Sequence, residues 1–172
     1  MELGLIGNCS FSALVERGAV RWLCWPRMDS SFVFGDLLDE RHGGEFRVEM
    51  IGATSVEQDY VENTNVVRTV FVGPTGSFEL LDFAPRFRLY DRFFKPSMLV
   101  RILRPLGGQP LVRVRCQPVY DYGRVRASAY AASNHLEFGG LPAPVRLTTN
   151  LSLAYVQQGS EFVLAQPAHL AL

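Results

Sequence analysis

Short runs of alternating apolar and polar residues, separated by Gly, Pro and Asn, recur along this chain. In residues 111–118, Val112 and Val114 fall on one face of an extended strand, and Arg113 and Arg115 fall on the other. Alternation with a period of two is typical of strands with one buried face, whereas a helix repeats every 3.6 residues. The pattern therefore restricts the chain to a mainly β fold.

About ten strands are predicted from such runs. They cover residues 19–25, 44–50, 55–61, 65–72, 77–84, 97–103, 111–118, 123–132, 136–138, 145–154 and 161–165. The Gly-Pro-Thr-Gly of residues 73–76 and the Gly- and Pro-rich residues 104–110 each predict a hairpin between the runs on either side. Residues 166–172 resemble the start of a further strand, so we expect the fold to continue beyond this chain.

Helical periodicity occurs once, in residues 33–39, where Phe34, Leu37 and Leu38 share a face and a preceding serine offers a cap. No fixed repeat or low-complexity linker divides the chain. Many short strands at regular spacing favour a sandwich. We predict an all-β fold, a large antiparallel β-sandwich with one or two short helical turns, in which residues 1–172 form one domain.

Composition excludes several classes of protein. The 17 basic and 17 acidic side chains give a formal net charge of zero, without the excess of Lys and Arg that a non-specific nucleic-acid binder needs. No apolar stretch approaches the ~20 residues that span a bilayer, and the N-terminus lacks the pattern of a secretory signal. The three cysteines have no metal-binding spacing. We therefore expect a cytoplasmic protein with no metal, cofactor, nucleic-acid partner or membrane partner.

Two aspartates stand in apolar surroundings. Asp82 lies in the run Leu-Leu-Asp-Phe-Ala-Pro, and Asp121 lies in Tyr-Asp-Tyr-Gly. A buried carboxylate must be paired or hydrogen-bonded, and the many arginines provide partners. We interpret both aspartates as members of structural ion pairs, with a catalytic role as the alternative. The usual signatures of nucleotide loops, zinc proteases and serine hydrolases are absent from the sequence, which predicts no catalytic residue.

Residues 20–31 contain two tryptophans on a predicted strand, followed by a Pro-Arg turn and an Asp-Ser pair. Tryptophan faces and the fork geometry of Arg and Asp suit sugar rings and protein interfaces alike. Trp25, Arg27 and Asp29 are therefore candidates for contacts with a substrate or with another domain. In the alternative interpretation, the tryptophans fill the core, while Arg27 and Asp29 hold the turn by pairing with each other.

Five blocks of the sequence resemble, in order, the N-terminal domain of bacterial glycoside hydrolase family 15 proteins, the glucoamylase-like and trehalase-like enzymes. The blocks are Leu-Ile-Gly-Asn-Cys with Ala-Leu-Val at residues 5–15, Trp-Leu-Cys-Trp-Pro-Arg-Met-Asp-Ser at 22–30, Gln-Asp-Tyr-Val-Glu-Asn-Thr-Asn-Val at 58–66, Leu-Asp-Phe-Ala-Pro at 81–85 and Pro-Val-Tyr-Asp-Tyr-Gly at 118–123. Met28, Ser31 and Ala84 depart from the phenylalanine, proline and methionine usual in this family.

The resemblance implies a β-sandwich that is followed, in full-length members, by a linker and an (α/α)6 barrel that carries both catalytic glutamates. None of the carboxylates of this chain matches those positions. We therefore expect a fragment that is inactive alone and packs on the catalytic barrel of an inverting α-glucoside hydrolase, which binds the substrate. The alternatives are a free-standing structural domain and a carbohydrate-binding module with a stacking platform at Trp25, at Phe93 and Phe94, or at Tyr120 and Tyr122.

Overall fold

A computed structural model describes residues 3–172, and it contains nineteen strands and one short helix within that range. The elements are β1 (Gly4–Gly7), β2 (Ser12–Glu16), β3 (Ala19–Cys24), β4 (Phe32–Phe34), β5 (Glu45–Met50), β6 (Ser55–Tyr60), β7 (Val67–Gly73), β8 (Gly76–Phe83), β9 (Phe87–Leu89), β10 (Arg92–Phe94), β11 (Val100–Gly108), β12 (Leu111–Gln117), β13 (Val119–Tyr120), β14 (Val125–Arg126), β15 (Ser128–Ala131), β16 (His135–Gly139), β17 (Val145–Thr149), α1 (Leu153–Gln158), β18 (Glu161–Val163) and β19 (Ala168–Ala171).

The strands form two large sheets and two isolated hairpins. Sheet A has the order β1-β2-β3-β5-β12-β18, with β4 beside β3, and sheet B has the order β15-β16-β17-β19-β11-β8-β7-β6. Strands β9 and β10 pair only with each other, as do β13 and β14. Every pairing is antiparallel. The predicted antiparallel β-sandwich is therefore confirmed.

The core lies between the two sheets. It is formed by the apolar residues that alternate with polar ones along the strands, because each of these strands turns its apolar face towards the other sheet. Val112 and Val114 of β12 are fully buried, and so are Leu80 of β8 and Leu103 of β11 on the other sheet. Burying one such aliphatic side chain stabilises a fold by about 1.5–3 kcal/mol. The intervening residues of these strands face outwards, and on the outer face of sheet A charged side chains pair with one another.

One of the two predicted hairpins is confirmed and the other is wrong. Strands β7 and β8 form the hairpin around residues 73–76. Residues 104–110 instead lead from β11 in sheet B to β12 in sheet A, so they connect the two layers. The alternating pattern is the same whether two strands form a hairpin within one sheet or lie in different sheets. Turn residues alone do not determine to which sheet the next strand belongs.

The predicted helical turn at residues 33–39 is found only in its second half, where Leu38 and Asp39 donate backbone hydrogen bonds to the carbonyl of Gly35. Phe34 pairs with Leu23 on β3, and β4 is buried along its whole length, so tertiary burial overrides the local periodicity. The helix forms at α1, partly within residues 145–154, which were predicted as a strand. It ends at Gly159, which has a φ of 63° and donates its N–H to the carbonyl of Tyr155.

The predicted strands differ from the observed ones at further places. The predicted strand at residues 123–132 is divided into β14 and β15. Strands β1, β2, β9, β10 and β13 are absent from the predicted set. The strand expected in residues 166–172 is confirmed as β19, which is inserted between β17 and β11.

Candidate functional site

Three loops meet at one end of the sandwich, which we call the arm end: residues 8–11, 25–31 and 84–99. Asn8 is buried, and its amide nitrogen donates to the carbonyls of Pro85, at 2.9 Å, and Pro96, at 2.7 Å. The ring of Phe11 packs edge-on against Trp25, with 6.3 Å between the ring centroids. The first loop therefore contacts both of the others.

Trp25 follows directly after β3 and precedes Pro26 through a cis peptide bond. Its indole is half-buried against the core, and its ring nitrogen is buried with no hydrogen-bond partner among the described residues. Burying an unpaired donor costs free energy. The indole also lines a cavity of about 320 Å³ together with Ser97, Met98 and Leu172. The residue thus combines a core contact with a cavity at the arm end.

Arg27 and Asp29 project from the same loop into solvent. Their side chains are 76% and 68% exposed and form a bidentate pair, with Nε–Oδ1 and Nη2–Oδ2 distances of 2.8 and 2.9 Å. The hydrogen bonds from Arg27 lower the pKa of Asp29, and the same pairing raises the pKa of Arg27. The turn is also closed by a backbone hydrogen bond from Ser30 to Arg27. Both polar groups are thus presented together on an exposed turn.

The hairpin of β9 and β10, which we call the aromatic arm (residues 87–94), belongs to neither large sheet. Five of its large apolar side chains are exposed, and all but Leu89 are aromatic: Phe87, Leu89, Tyr90, Phe93 and Phe94. The guanidinium of Arg86 lies 5.3 Å from the centroid of the Phe93 ring. The arm end therefore exposes both aromatic and basic side chains.

The two aspartates assigned to ion pairs lie in different environments. Asp82 is 1% exposed and forms a bidentate pair with the fully buried Arg101, at 2.8 and 3.1 Å. Asp121 has a φ of 50° and a half-exposed side chain that lies 3.5 Å from Arg124. Asp82 is thus in the core, whereas Asp121 is at the surface.

A groove of about 820 Å³ lies on the outer side of sheet A. Asp36 is its most buried acidic residue and accepts hydrogen bonds from Arg21, at 3.2 Å, and Arg47, at 3.4 Å. Burial raises the pKa of Asp36, and the two arginines oppose that rise. Other carboxylates that line the groove also pair with arginine, Glu45 with Arg115 among them. The charges of the groove therefore largely neutralise one another.

Sequence reasoning missed two of the residues that shape these features. Arg101 occupies the buried register of β11, between Leu99 and Leu103, and an arginine in that register is a readable signal of a buried ion pair. Asn8 gives no comparable signal, because its partners lie 77 and 88 residues away in sequence.

Within residues 3–172, no three His, Cys, Asp or Glu side chains come together in a way that would hold a metal ion. The same range contains no helix that is both long and apolar enough to span a bilayer.

Comparison with known proteins identifies relatives of this chain. It is 32% identical to Trehalase 2 of Sulfolobus acidocaldarius over 127 residues, which cover 74% of this chain and 20% of the relative. It is 43% identical to Trehalase 1 of the same organism over 84 residues, covering 48% of this chain and 15% of the relative. It is 30% identical to the trehalase of Mycobacterium tuberculosis over 159 residues, which cover 79% of this chain and 23% of the relative.

The chain thus spans only about a fifth of the length of these relatives. No solved structure matches it. Residues 2–160 match the model of the family described as "Trehalase-like, N-terminal". Since that match covers most of the sequence, the chain belongs to the trehalase-like N-terminal domain family.

Proposed function

We propose that this chain is the non-catalytic N-terminal domain of an inverting α-glucoside hydrolase that acts on trehalose, and that it supports a C-terminal catalytic part. The observation that carries the proposal is the family match over residues 2–160, together with relatives that are named trehalases and of which the matched region is only about a fifth. In the relatives, most of the chain lies outside the matched region.

The environments of the two buried acidic residues, Asp36 and Asp82, support a non-catalytic role. Hydrolysis with inversion needs a carboxylic acid beside the glycosidic bond and a carboxylate that activates water, both accessible to the substrate. Asp82 is buried in the core and paired with Arg101, and Asp36 is buried and accepts hydrogen bonds from two arginines. Neither carboxylate is accessible to a sugar.

The arm end is the face that we assign to the catalytic part. Trp25, Arg27 and Asp29 lie there, and Trp and Arg are enriched in the energetically important centres of interfaces. Leu172 exchanges two backbone hydrogen bonds with Leu99, both of 2.9 Å, at the same end of the sandwich. A polypeptide that continues after residue 172, as in the longer relatives, would leave the sandwich beside this face.

An activity measurement tests the proposal. Residues 1–172 and the full polypeptide that contains them are each incubated with trehalose, and the anomer of the released glucose is followed by NMR. We expect only the full polypeptide to release glucose, with one product initially in the β configuration because the α bond is inverted. Turnover by residues 1–172 alone, or two α products, would contradict the proposal. A full polypeptide without trehalase activity would do so too.

The assignment of the interface predicts the effect of Arg27→Ala. In residues 1–172 the substitution removes only an exposed pair with Asp29, so we expect little change in melting temperature. In the full polypeptide it removes an interface contact, so we expect a lower melting temperature of the coupled domains or lower activity. Arg104→Ala is the control, because Arg104 is also exposed and paired, with Glu79 at 3.6 Å. Equal losses of melting temperature in both proteins, with activity intact, would rule out this interface.

A further inference from the structure

The aromatic arm concentrates positive charge in a chain that is neutral as a whole. Residues 86–95 contain four basic side chains, Arg86, Arg88, Arg92 and Lys95, against the single acidic side chain of Asp91. Taking these from 17 basic and 17 acidic residues leaves 13 basic and 16 acidic residues elsewhere. Residues 86–95, which are the arm and one flanking residue on each side, therefore carry a net charge opposite to that of the rest of the molecule.

The arm also exposes large apolar side chains that water solvates poorly. Tyr90 is 89% exposed and Phe93 is 63% exposed, and all six residues of β9 and β10 are exposed. Contiguous exposed apolar patches on this scale typically mark interaction sites. A two-stranded hairpin is at best marginally stable by itself in water. The amide of Asn8, which binds the carbonyls on both sides of the arm, fixes its base.

The tip of the arm has an unfavourable backbone conformation. Tyr90 has a φ of 54°, in the left-handed region that a bulky side chain rarely adopts. A glycine would meet the same turn geometry with less strain. Instead, this position holds an aromatic ring that is 89% exposed. The ring is therefore accessible to a partner surface.

We infer that the aromatic arm inserts into an apolar concavity, lined by carboxylates, on the C-terminal catalytic part of the same polypeptide. This inference rests on the function proposed above and names the residues that hold the two parts together. Rings and guanidinium groups are the side chains that interface centres favour. The net positive charge of residues 86–95 requires acidic residues in the partner surface, because buried unpaired charge is costly.

The position of Leu172 favours this occupant over a second copy of the chain. Leu172 pairs with Leu99, which follows the arm by only a few residues, and Leu172 lines the cavity beside Ser97 and Met98. A downstream part that begins there lies within reach of the arm, so its effective concentration is high. A separate copy has no such advantage.

Site-specific photo-cross-linking in the full polypeptide tests the inference. A benzophenone amino acid replaces Phe93, and in a matched control it replaces Tyr130, an aromatic residue on β15 with the same degree of exposure. We expect the probe at position 93 to cross-link within one polypeptide to an Asp- and Glu-rich segment that follows residue 172. The probe at position 130 is expected not to capture that segment.

Several outcomes of the cross-linking experiment overturn the inference. These are cross-links from position 93 only to residues 1–172, cross-links between two copies, equal capture of the downstream segment from both positions, and no capture from position 93. A full polypeptide that ends at residue 172 overturns it as well.

A stability measurement provides a second, independent test. Phe93→Ser is expected to lower the melting temperature of the full polypeptide, because it removes a ring from the interface, whereas Tyr130→Ser is expected not to lower it. Unchanged melting after Phe93→Ser overturns the inference. Trehalose hydrolysis is measured on the same unmodified preparation. Inactivity together with the expected cross-link refutes the proposed function and leaves the arm contact standing, whereas activity without the cross-link refutes the arm contact alone.

Discussion

Arg101 lies on β11 of sheet B, and its guanidinium reaches the backbone of sheet A. Besides pairing with Asp82, it donates to the carbonyl of Phe46, at 3.0 Å, and to that of Gly18, at 2.7 Å. The guanidinium also lies 4.6 Å from the centroid of the Phe46 ring. This single side chain therefore satisfies polar groups of both layers in the middle of the core.

Arg101→Met is expected to lower the free energy of unfolding by about 3–5 kcal/mol, because it leaves Asp82 buried without a positive partner. The double variant Arg101→Met with Asp82→Leu is expected to recover part of that loss, since no buried charge remains. Urea unfolding of the chain measures both changes. A loss below about 1 kcal/mol in the single variant, or a double variant less stable than the single one, would contradict this account.

Asp36 predicts a dependence of stability on pH. Its pKa is raised in the folded state by burial, so the folded chain holds that proton more tightly than the unfolded chain. The resulting stabilisation is complete below the usual aspartate pKa of about 3.9 and is lost as the pH rises through the folded-state pKa. The free energy of unfolding of the native chain relative to Asp36→Asn should therefore fall with rising pH across this window.

Chemical denaturation at a series of pH values measures this difference. Glu40→Gln is the control, because Glu40 approaches the same Arg21 but is 81% exposed. The difference between the native chain and that variant is measured over the same pH range and provides the baseline. A stability difference between the native chain and Asp36→Asn that grows as the pH rises would show that the arginines outweigh burial.

At the scale of elements, the aromatic arm depends on the loop that holds its base. Asn8→Asp replaces the amide donor with an oxygen that faces the carbonyl oxygens of Pro85 and Pro96. We expect a loss of about 1–3 kcal/mol in unfolding free energy and faster amide hydrogen exchange in residues 87–94. Ser10→Ala is the milder control, since its hydroxyl makes one exposed bond of 3.3 Å to Lys95. Unchanged exchange in the arm after Asn8→Asp would show that other contacts fix its base.

Local patterns predict an element where its partner is its neighbour in sequence. The β7–β8 hairpin is predictable because a short turn with glycine at each end separates two alternating runs. Strand β4 is not, because its burial depends on β3 rather than on its own periodicity. The arm is a middle case: Phe93 and Phe94 are identifiable as a candidate aromatic platform, but the pairing that exposes them is not evident from the sequence alone.

In the candidate site, too, the features that depend on neighbouring residues are predictable from the sequence, and those that depend on distant contacts are not. Trp25, Arg27 and Asp29 are recognisable because they lie within five residues of sequence. The observed pairing of Arg27 with Asp29 is the one named in the alternative interpretation, in which the two side chains hold the turn. Their meeting with residues 8–11 and 84–99 depends on contacts between distant parts of the chain. Propensity and alternation carry no information about such contacts.

At the scale of the whole molecule, the family match and the sandwich end at different residues. The match ends at residue 160, whereas β18 and β19 follow it. Strand β19 lies between β17 and β11, with Ala168 and Leu170 buried. A chain that ends at residue 160 therefore lacks the strand that joins the two halves of sheet B.

We expect that shortened chain to lose cooperative unfolding, as measured by circular dichroism during a urea titration. Leu170→Ser should destabilise the complete chain strongly, since Leu170 is fully buried, whereas His169→Ser on the exposed face of β19 should have a smaller effect. A cooperative transition in residues 1–160 would show that β19 is dispensable for joining sheet B.

Sheet B can be completed only late in synthesis, because its central strand β19 is the last one in the sequence. A ribosome delivers the N-terminal strands first, yet β11 and β17 cannot be bridged until residues 168–171 have emerged from the exit tunnel. In a longer polypeptide, the following segment is already being synthesised when that happens. Closure of the sandwich and emergence of the downstream part are then coupled in time, so the arm end would be completed only as its proposed partner begins to appear.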